Sequence, residues 1–324
     1  MTLSRRSLLA ALSAASALPA TPAFAAYPDR LIKIIVPFPA GGTTDIVARI
    51  LSAQMPQPLG QNVIVENRGG AGGTLGAAET ARAAPDGYIL GIATVSTVAT
   101  APAIQPKTPY DPLTDFTPIT NLAATPNVIS VHPSFPARDY EGFIAEIRKN
   151  PGKYTYATPG IGSIMHLLTE LFLSLTDTKI RHVPYRGAGP ALADAVAGHV
   201  TIMADNLPSS QPFFEDGKLI PIVVAAPKRV SGLPNVPTFK EVGLERANRV
   251  AFYGLVGPKG MPADITQKLH TVVTRILQEP DVRKRIEQTG SDVVANTPAE
   301  FAAEIKEELE IYRRVVKDRN LTIE

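Results

Sequence analysis

Apolar positions along this chain switch repeatedly between two periods. Runs such as "LIKIIVPF", "VIVEN" and "DGYILGIAT" are short, nearly continuous and rich in Ile and Val, the pattern of strands buried on both faces. Between them the period lengthens. A helix is predicted from Thr44 to about Met55, and a second after "RGGAGGTLG". This alternation predicts an open parallel sheet with helices on both faces. Residues 97–127 are rich in Pro and Thr and weakly periodic, and read as a long excursion to a second lobe. There the theme resumes. "NVISVHP", "YTYAT", "IRHVPY", "VTIMAD" and "LIPIVVAAP" read as strands, and "YEGFIAEIRKN", "SIMHLLTELFLSL" and "PALADAVAG" as helices. A Pro-rich return at 227–238 leads to "FYGLVGP", a helix from Ala263 to Leu277 and a long terminal helix. Thr297 is placed as the N-cap of that last helix, with Pro298 at N1 and Glu300 at N3 completing a capping box. Phe301, Ile305, Leu309, Tyr312 and Val316 then form one apolar stripe.

Two crossings between lobes predict a discontinuous α/β architecture. Residues 26–125 and 226–324 would build the first lobe and residues 126–225 the second, each a parallel or mixed sheet flanked by helices. A ligand cleft between them would close about the crossing strands.

The first 25 residues stand outside this pattern. "MTLSRRSLLAALSAASALPATPAFA" has a basic start, a short Ala/Leu-rich run and an Ala-x-Ala ending, the layout of a secretory signal cut after Ala25. "SRRSLL" fits both an ordinary Sec signal and the twin-arginine route. The mature protein is expected to be exported. Of the 32 basic residues, the signal removes Arg5 and Arg6, leaving 30 against 30 acidic ones. That balance argues for neither nucleic acid nor an anionic membrane as partner. The absence of Cys excludes disulfides, thiolate nucleophiles and Cys-ligated metals. The five His, at 132, 166, 182, 199 and 270, show no metal-ligand spacing. No cofactor or metal is expected. G-x-S-x-G, H-E-x-x-H and Walker lysine motifs are all missing, which argues against an enzyme.

The candidate chemistry lies where strands meet helices. In an open α/β sheet, ligands bind beyond the carboxyl ends of the strands. "PFPAGGTTD" sits at that position after the first strand. Gly41 and Gly42 let backbone approach a ligand, and Thr43 or Thr44 is expected to cap the helix. Helix starts carry a partial positive charge and free N–H groups, so the corner can hold an anion without a cationic side chain. "ATPGIGSIMHLL" repeats the device with Gly160, Gly162 and Ser163 as N-cap, and "VPYRGAGPALADAVAG" with Gly187, Gly189 and Pro190 at N1. Such a clamp suits a small carboxylate. Two roles stay open for several neighbours. Asp45 either braces its loop or touches the ligand. Arg186 either pairs with a carboxylate or braces. His166, at N3 of its helix, is either a structural residue or a cleft-edge donor. Thr94 and Ser96 either donate hydroxyls into the cleft or make a turn. Asp205 completes the candidate set. "GGAGGTLG" does not fit a dinucleotide fingerprint, although Gly73 and Thr74 can start a further helix at the cleft.

As a set, "YPDRLIKIIVPFPAGGTTDIVAR", "VENRGGAGGTLGAAETARAAPDGYIL", "PYDPLTDFTPIT", "GIGSIMHL", "VPYRGAGPALADAVAGHV" and "LPNVPTFKEVGL" resemble the Bug (TctC-like) periplasmic solute receptors of tripartite tricarboxylate transporters. The resemblance runs in order along nearly all of the chain after the signal. It implies a Venus-flytrap fold of the type II periplasmic-binding class. It implies carboxylates held by backbone amides, hydroxyls and waters at Gly41, Gly42, Thr43 and Asp45, and at Gly160, Gly162, Ser163 and His166. It also implies a permease of large and small membrane subunits, and ligands among di- and tricarboxylates, acidic amino acids and aromatic acids. Gly69 departs from the family's usual proline after "ENR", and "ATVSTVATAPAIQ" is atypical. A monomeric receptor feeding the permease is expected. A sensor serving a signalling partner and an exported α/β enzyme are the rival readings.

Overall fold

A computed structural model describes residues 27–105 and 107–321. The export signal falls outside the described residues.

Strands and helices alternate from the start: β1 (Ile32–Val36), α1 (Thr43–Ser52), β2 (Val63–Asn67), α2 (Thr74–Ala81) and β3 (Ile89–Thr94). β1 pairs in parallel with both β2 and β3. The chain then adds β4 (Phe116–Thr125) and passes directly into β5 (Asn127–Val131). From β5 to β9 (Ile220–Ala225) it builds a second sheet, and afterwards β10 (Ala251–Pro258) and β11 (Asp292–Val293) return to the first. The first sheet runs β11-β4-β10-β3-β1-β2 and the second runs β7-β6-β8-β5-β9. In the second, β6 (Thr155–Thr158) pairs in parallel with β7 (Arg181–Pro184) and β8 (Ile202–Asn206), while β5 runs antiparallel to β8 and β9. Both sheets are therefore mixed. β5 and β10, each antiparallel to both of its neighbours, lie where the chain crosses between sheets.

Each sheet is covered by helices that bury one stripe. Around the second lie α3 (Tyr140–Lys149), α4 (Ile164–Thr176), α5 (Ala188–Val196) and α6 (Leu207–Glu215). The first receives α7 (Ala263–Gln278), α8 (Pro280–Glu287) and α9 (Pro298–Arg319). Thr297 and Glu300 form both halves of the capping box of α9. Phe301, Ile305, Leu309 and Tyr312 of its stripe are fully buried. Gly254 of β10 faces that stripe so closely that a Cβ there would sit 2.0 Å from the Phe301 ring.

Two elements depart from the sequence expectation. The excursion at 97–127 contains β4, a ten-residue strand flanked by β10 and β11. Pro118, Thr117, Thr120 and Asn121 erase its apolar signature, and its polar side chains are satisfied internally: Thr120 donates to the Asn296 carbonyl at 2.7 Å and Asn121 to Glu304 at 3.0 Å. The chain between β8 and β9 is not a simple link but α6, masked in sequence by Pro208 and Pro212.

The crossings are stapled to one another. Asn248 accepts from the Ala226 amide at 3.1 Å and donates to its carbonyl at 2.8 Å. Asn127 donates to the Arg249 carbonyl at 2.7 Å and accepts from Asn206 at 2.6 Å.

Candidate functional site

The loops after β1, β3, β6 and β8 converge between the two sheets. α1 begins with Gly42 as N-cap, in extended conformation and with no side-chain cap. The expected threonine cap is thus displaced by one residue. Thr43 occupies N1, which frees its hydroxyl to reach the other lobe, where it lies 2.9 Å from Ser209 Oγ and accepts from the Ser209 amide at 3.3 Å. Thr44 is buried with no side-chain hydrogen-bond partner among the described residues.

Asp45 is held inside its own loop. Its carboxylate accepts from the Gly41 amide at 3.2 Å, from Arg49 Nε at 2.9 Å and from Asn67 at 2.9 Å. Burial pushes its pKa up, but the bonds from Arg49, Asn67 and Gly41 outweigh burial and hold it below the usual carboxylate range. Its two oxygens are engaged by the loop rather than offered to a ligand.

On the opposite lobe Ser163 caps α4 as the sequence predicts, accepting from the His166 amide at 3.3 Å and donating to the Gly160 carbonyl at 2.7 Å. Gly160 and Gly162 have φ values of 146° and 77°, which only glycine adopts without strain. The α4 start is met by hydroxyls from the other lobe. Ser96 Oγ accepts from the Ile164 amide at 3.0 Å, and Thr100 donates to the Gly162 carbonyl at 2.7 Å. Thr94 is tied into the turn after β3 by Thr97.

α5 begins at Ala188 with Gly187 as N-cap, two residues earlier than the sequence suggested, because Pro190 is tolerated at N3 as well as at N1. Its start faces that of α1. A Cβ on Gly42 would sit 3.3 Å from Ala188 Cβ, and one on Gly187 only 2.5 Å from Pro39. Arg186, just before this helix, is exposed and lies outside the cavity wall.

These loops line a cavity between the two sheets. Gly42, Thr43, Thr94, Ser96 and Ser163 of the sequence candidates line it; Gly41, Gly160 and Gly162 do not, and Asp205 lies behind Ser209. Among the described residues no Lys, Arg or His lines the wall. His166 turns the other way. Its ring stacks on His182 at 4.2 Å and its Nδ1 accepts from the Gly162 amide at 3.2 Å, facing a separate space that Ile104 and Leu321 also line. Burial lowers its pKa to about 4 and that of His182 to about 3, so both are neutral near pH 7.

Sequence reasoning missed Ser209, Asn206 and Tyr253. The dipeptide Leu207-Pro208 after Asn206 carried a usable signal, a proline in the first helical turn. Tyr253 lies inside β10, where nothing in sequence distinguishes a cavity-facing tyrosine from a core one. Burial raises its phenol well above the ordinary value and Asp205 acts the same way, so it is a neutral donor. Asp205 itself is fully buried. Burial pushes it up to about 6, against hydrogen bonds from Ser209, the Asn206 amide and Ser210. Among the described residues no three His, Asp or Glu side chains are grouped to hold a metal ion.

The model for the tripartite tricarboxylate transporter family receptor matches residues 47–321. The chain belongs to this family of receptors. BugT of Bordetella pertussis is 33% identical over 293 residues, covering 90% of each chain. A solved structure described as a periplasmic transporter is 49% identical, with a TM-score of 0.91 over 92% of this chain and 100% of the other. MatC of Rhodopseudomonas palustris, solved with bound malate, is 36% identical, with a TM-score of 0.85 over 90% and 100% of the two chains. The fold is accordingly the two-lobed one of the periplasmic binding proteins. Tripartite tricarboxylate transporter receptors bind solutes and are not an enzyme family, and their members are periplasmic.

Proposed function

We propose that this receptor captures a small organic carboxylate between its lobes and delivers it to the membrane subunits of a tripartite tricarboxylate transporter. It acts as a monomer, exported with residues 1–25 removed, and performs no chemistry on its cargo. Residues 26–125 with 226–324 move as one lobe and 126–225 as the other.

One observation carries the reading. The interlobe cavity is walled by hydroxyls and by the starts of α1, α4 and α5, with no cationic side chain among the described residues that line it. Oriented N–H groups stabilise an anion there while leaving the lobes free of a permanent charge that would hold counterions. Bound malate in MatC supports the same ligand chemistry. Closure follows because groups from both lobes, such as Gly42 and Ala188, meet across the same small space.

The test is a thermal-shift screen of the purified protein against organic acids. A true ligand at about 100 times its Kd should add about 2.7 kcal/mol of stability. A broad panel of carboxylates that leaves the midpoint unmoved would overturn the proposal.

A further inference from the structure

The three helix starts do not offer equal anion sites. At the α4 start, the Ile164 amide is already taken by Ser96 Oγ at 3.0 Å, and the loop carbonyl of Gly162 by Thr100 at 2.7 Å. That amide is covered by a hydroxyl of the opposite lobe. The starts of α1 and α5 are instead pressed together, with Gly42 against Ala188 and Gly189 against the Ala40 carbonyl. Two positive helix ends that converge repel one another unless an anion lies between them. Thr44 supplies the independent sign of a ligand: 5% exposed, it lines the cavity and its hydroxyl has no partner among the described residues. That hydroxyl is open to the cavity and can bond a carboxylate oxygen placed there.

Away from that corner the wall changes character. Phe38, Val95, Ile164, Met165, Ala251 and the ring of Tyr253 make up most of the remainder, all less than 9% exposed. A second carboxylate there would lose its water without gaining a cation or a set of amides. The Asp205 carboxyl behind Ser209 adds an acidic group on the same side.

We propose that the ligand carries one carboxylate head, seated against the converging starts of α1 and α5 on Thr44, and an apolar body directed at the rest of the cavity wall. This rests on the carboxylate-receptor reading above and narrows it to aliphatic or aromatic monocarboxylates, setting aside citrate-like acids and acidic amino acids.

Isothermal titration with a matched set separates the two levels. Hexanoate and adipate share six carbons and differ by the terminal carboxylate; benzoate, malate and citrate complete the panel. Hexanoate should bind at least tenfold tighter than adipate, and benzoate tighter than malate or citrate. Thr44→Val should weaken hexanoate about tenfold, and Thr44→Ser should restore it. Ser96→Ala should reopen the α4 amide and narrow the gap between hexanoate and adipate. Tighter binding of adipate, malate or citrate than of hexanoate overturns this inference and leaves the receptor reading standing. Full affinity in a folded Thr44→Val protein overturns the head's placement, and an unchanged hexanoate-to-adipate ratio in Ser96→Ala overturns the role of the covered amide. Failure of all five acids to bind removes both readings.

Discussion

Thr43 Oγ1 and Ser209 Oγ lie 2.9 Å apart, although 166 residues separate them and they belong to opposite lobes. The Ser209 hydroxyl donates to Asp205 Oδ2 at 2.6 Å, so its own oxygen must accept from Thr43. Thr43 in turn accepts from the Ser209 amide at 3.3 Å. The pair is reciprocal, and Asp205 sets its direction. Thr43→Val keeps the shape of N1 and removes one member. Each lost neutral hydrogen bond costs about 1 kcal/mol, so ligand affinity should fall about fivefold by titration. Ser209→Ala should do the same. The double variant should cost less than the two summed, by at least 0.5 kcal/mol, as coupled neighbours do. Strict additivity would show that the two hydroxyls do not act together.

Gly72 meets the other lobe backbone to backbone. It has φ +64°, and a Cβ there would sit 2.3 Å from the Ile161 carbonyl oxygen. Gly60 has nearly the same conformation, φ +70°, with nothing within 4 Å of its Cβ position. Gly60→Ala therefore isolates backbone strain, about 1 kcal/mol, from interlobe clash. Gly72→Ala should lose the same stability and, in addition, at least tenfold in ligand affinity. Small-angle scattering of Gly72→Ala with saturating ligand should stay expanded relative to wild type. Equal binding by the two variants would mean that closure does not bring Gly72 to Ile161.

At the far end of the first lobe, the capping box makes a prediction about stability alone. The Thr297 hydroxyl accepts from the Glu300 amide at 3.2 Å, and Glu300 Oε2 accepts from the Thr297 amide at 2.8 Å. Thr297→Ala should cost about 1 kcal/mol in a denaturant titration, and Thr297→Ser much less. Ligand affinity should not change, because no described residue of α9 lines the cavity wall. A loss of binding in a fully folded Thr297→Ala protein would contradict that separation.

Features fixed by neighbouring residues were the legible ones. Ser163 before an apolar helical stripe, and Thr297-Pro298 before Glu300, specify their caps through local hydrogen bonds, and both caps form. β4 and α6 were hidden because prolines and polar residues inside them suppress the period that marks an element. Their stability comes from neighbours distant in sequence, such as Asn296 and Glu304 for β4. The cavity wall was half legible for a related reason. Spacing puts Gly42 and Ser163 at helix starts, but only the meeting of the lobes decides that Ser96 covers the Ile164 amide. Likewise, a position at N3 says nothing of which way the His166 ring turns, and stacking on His182 takes it from the cavity.

Asp205, His166 and His182 pull the pH dependence of stability in opposite directions. Burial raises Asp205 to about 6, above the 3.8 of a free side chain, so between those values the native state holds a proton that the unfolded chain has released. Acidifying through that window adds stability from Asp205. The histidines, lowered to about 4 and about 3 from 6.5, are charged first in the unfolded chain. Their contribution is complete above pH 6.5 and is lost as the pH falls towards 4 and 3. Between about pH 6 and pH 4 these three groups together leave the unfolded chain ahead by roughly one proton, a loss of about 1.4 kcal/mol per pH unit. Asp205→Asn keeps an acceptor for Ser209 and Ser210 but removes the opposing titration. It should raise stability at pH 7 by up to about 3 kcal/mol. It should also double the loss these groups cause on acidification, so that the two proteins converge near pH 4. Denaturant midpoints of both proteins at half-unit steps from pH 7.5 to 4 measure this, and parallel curves would show that Asp205 is already ionised at its ordinary pKa in the folded protein.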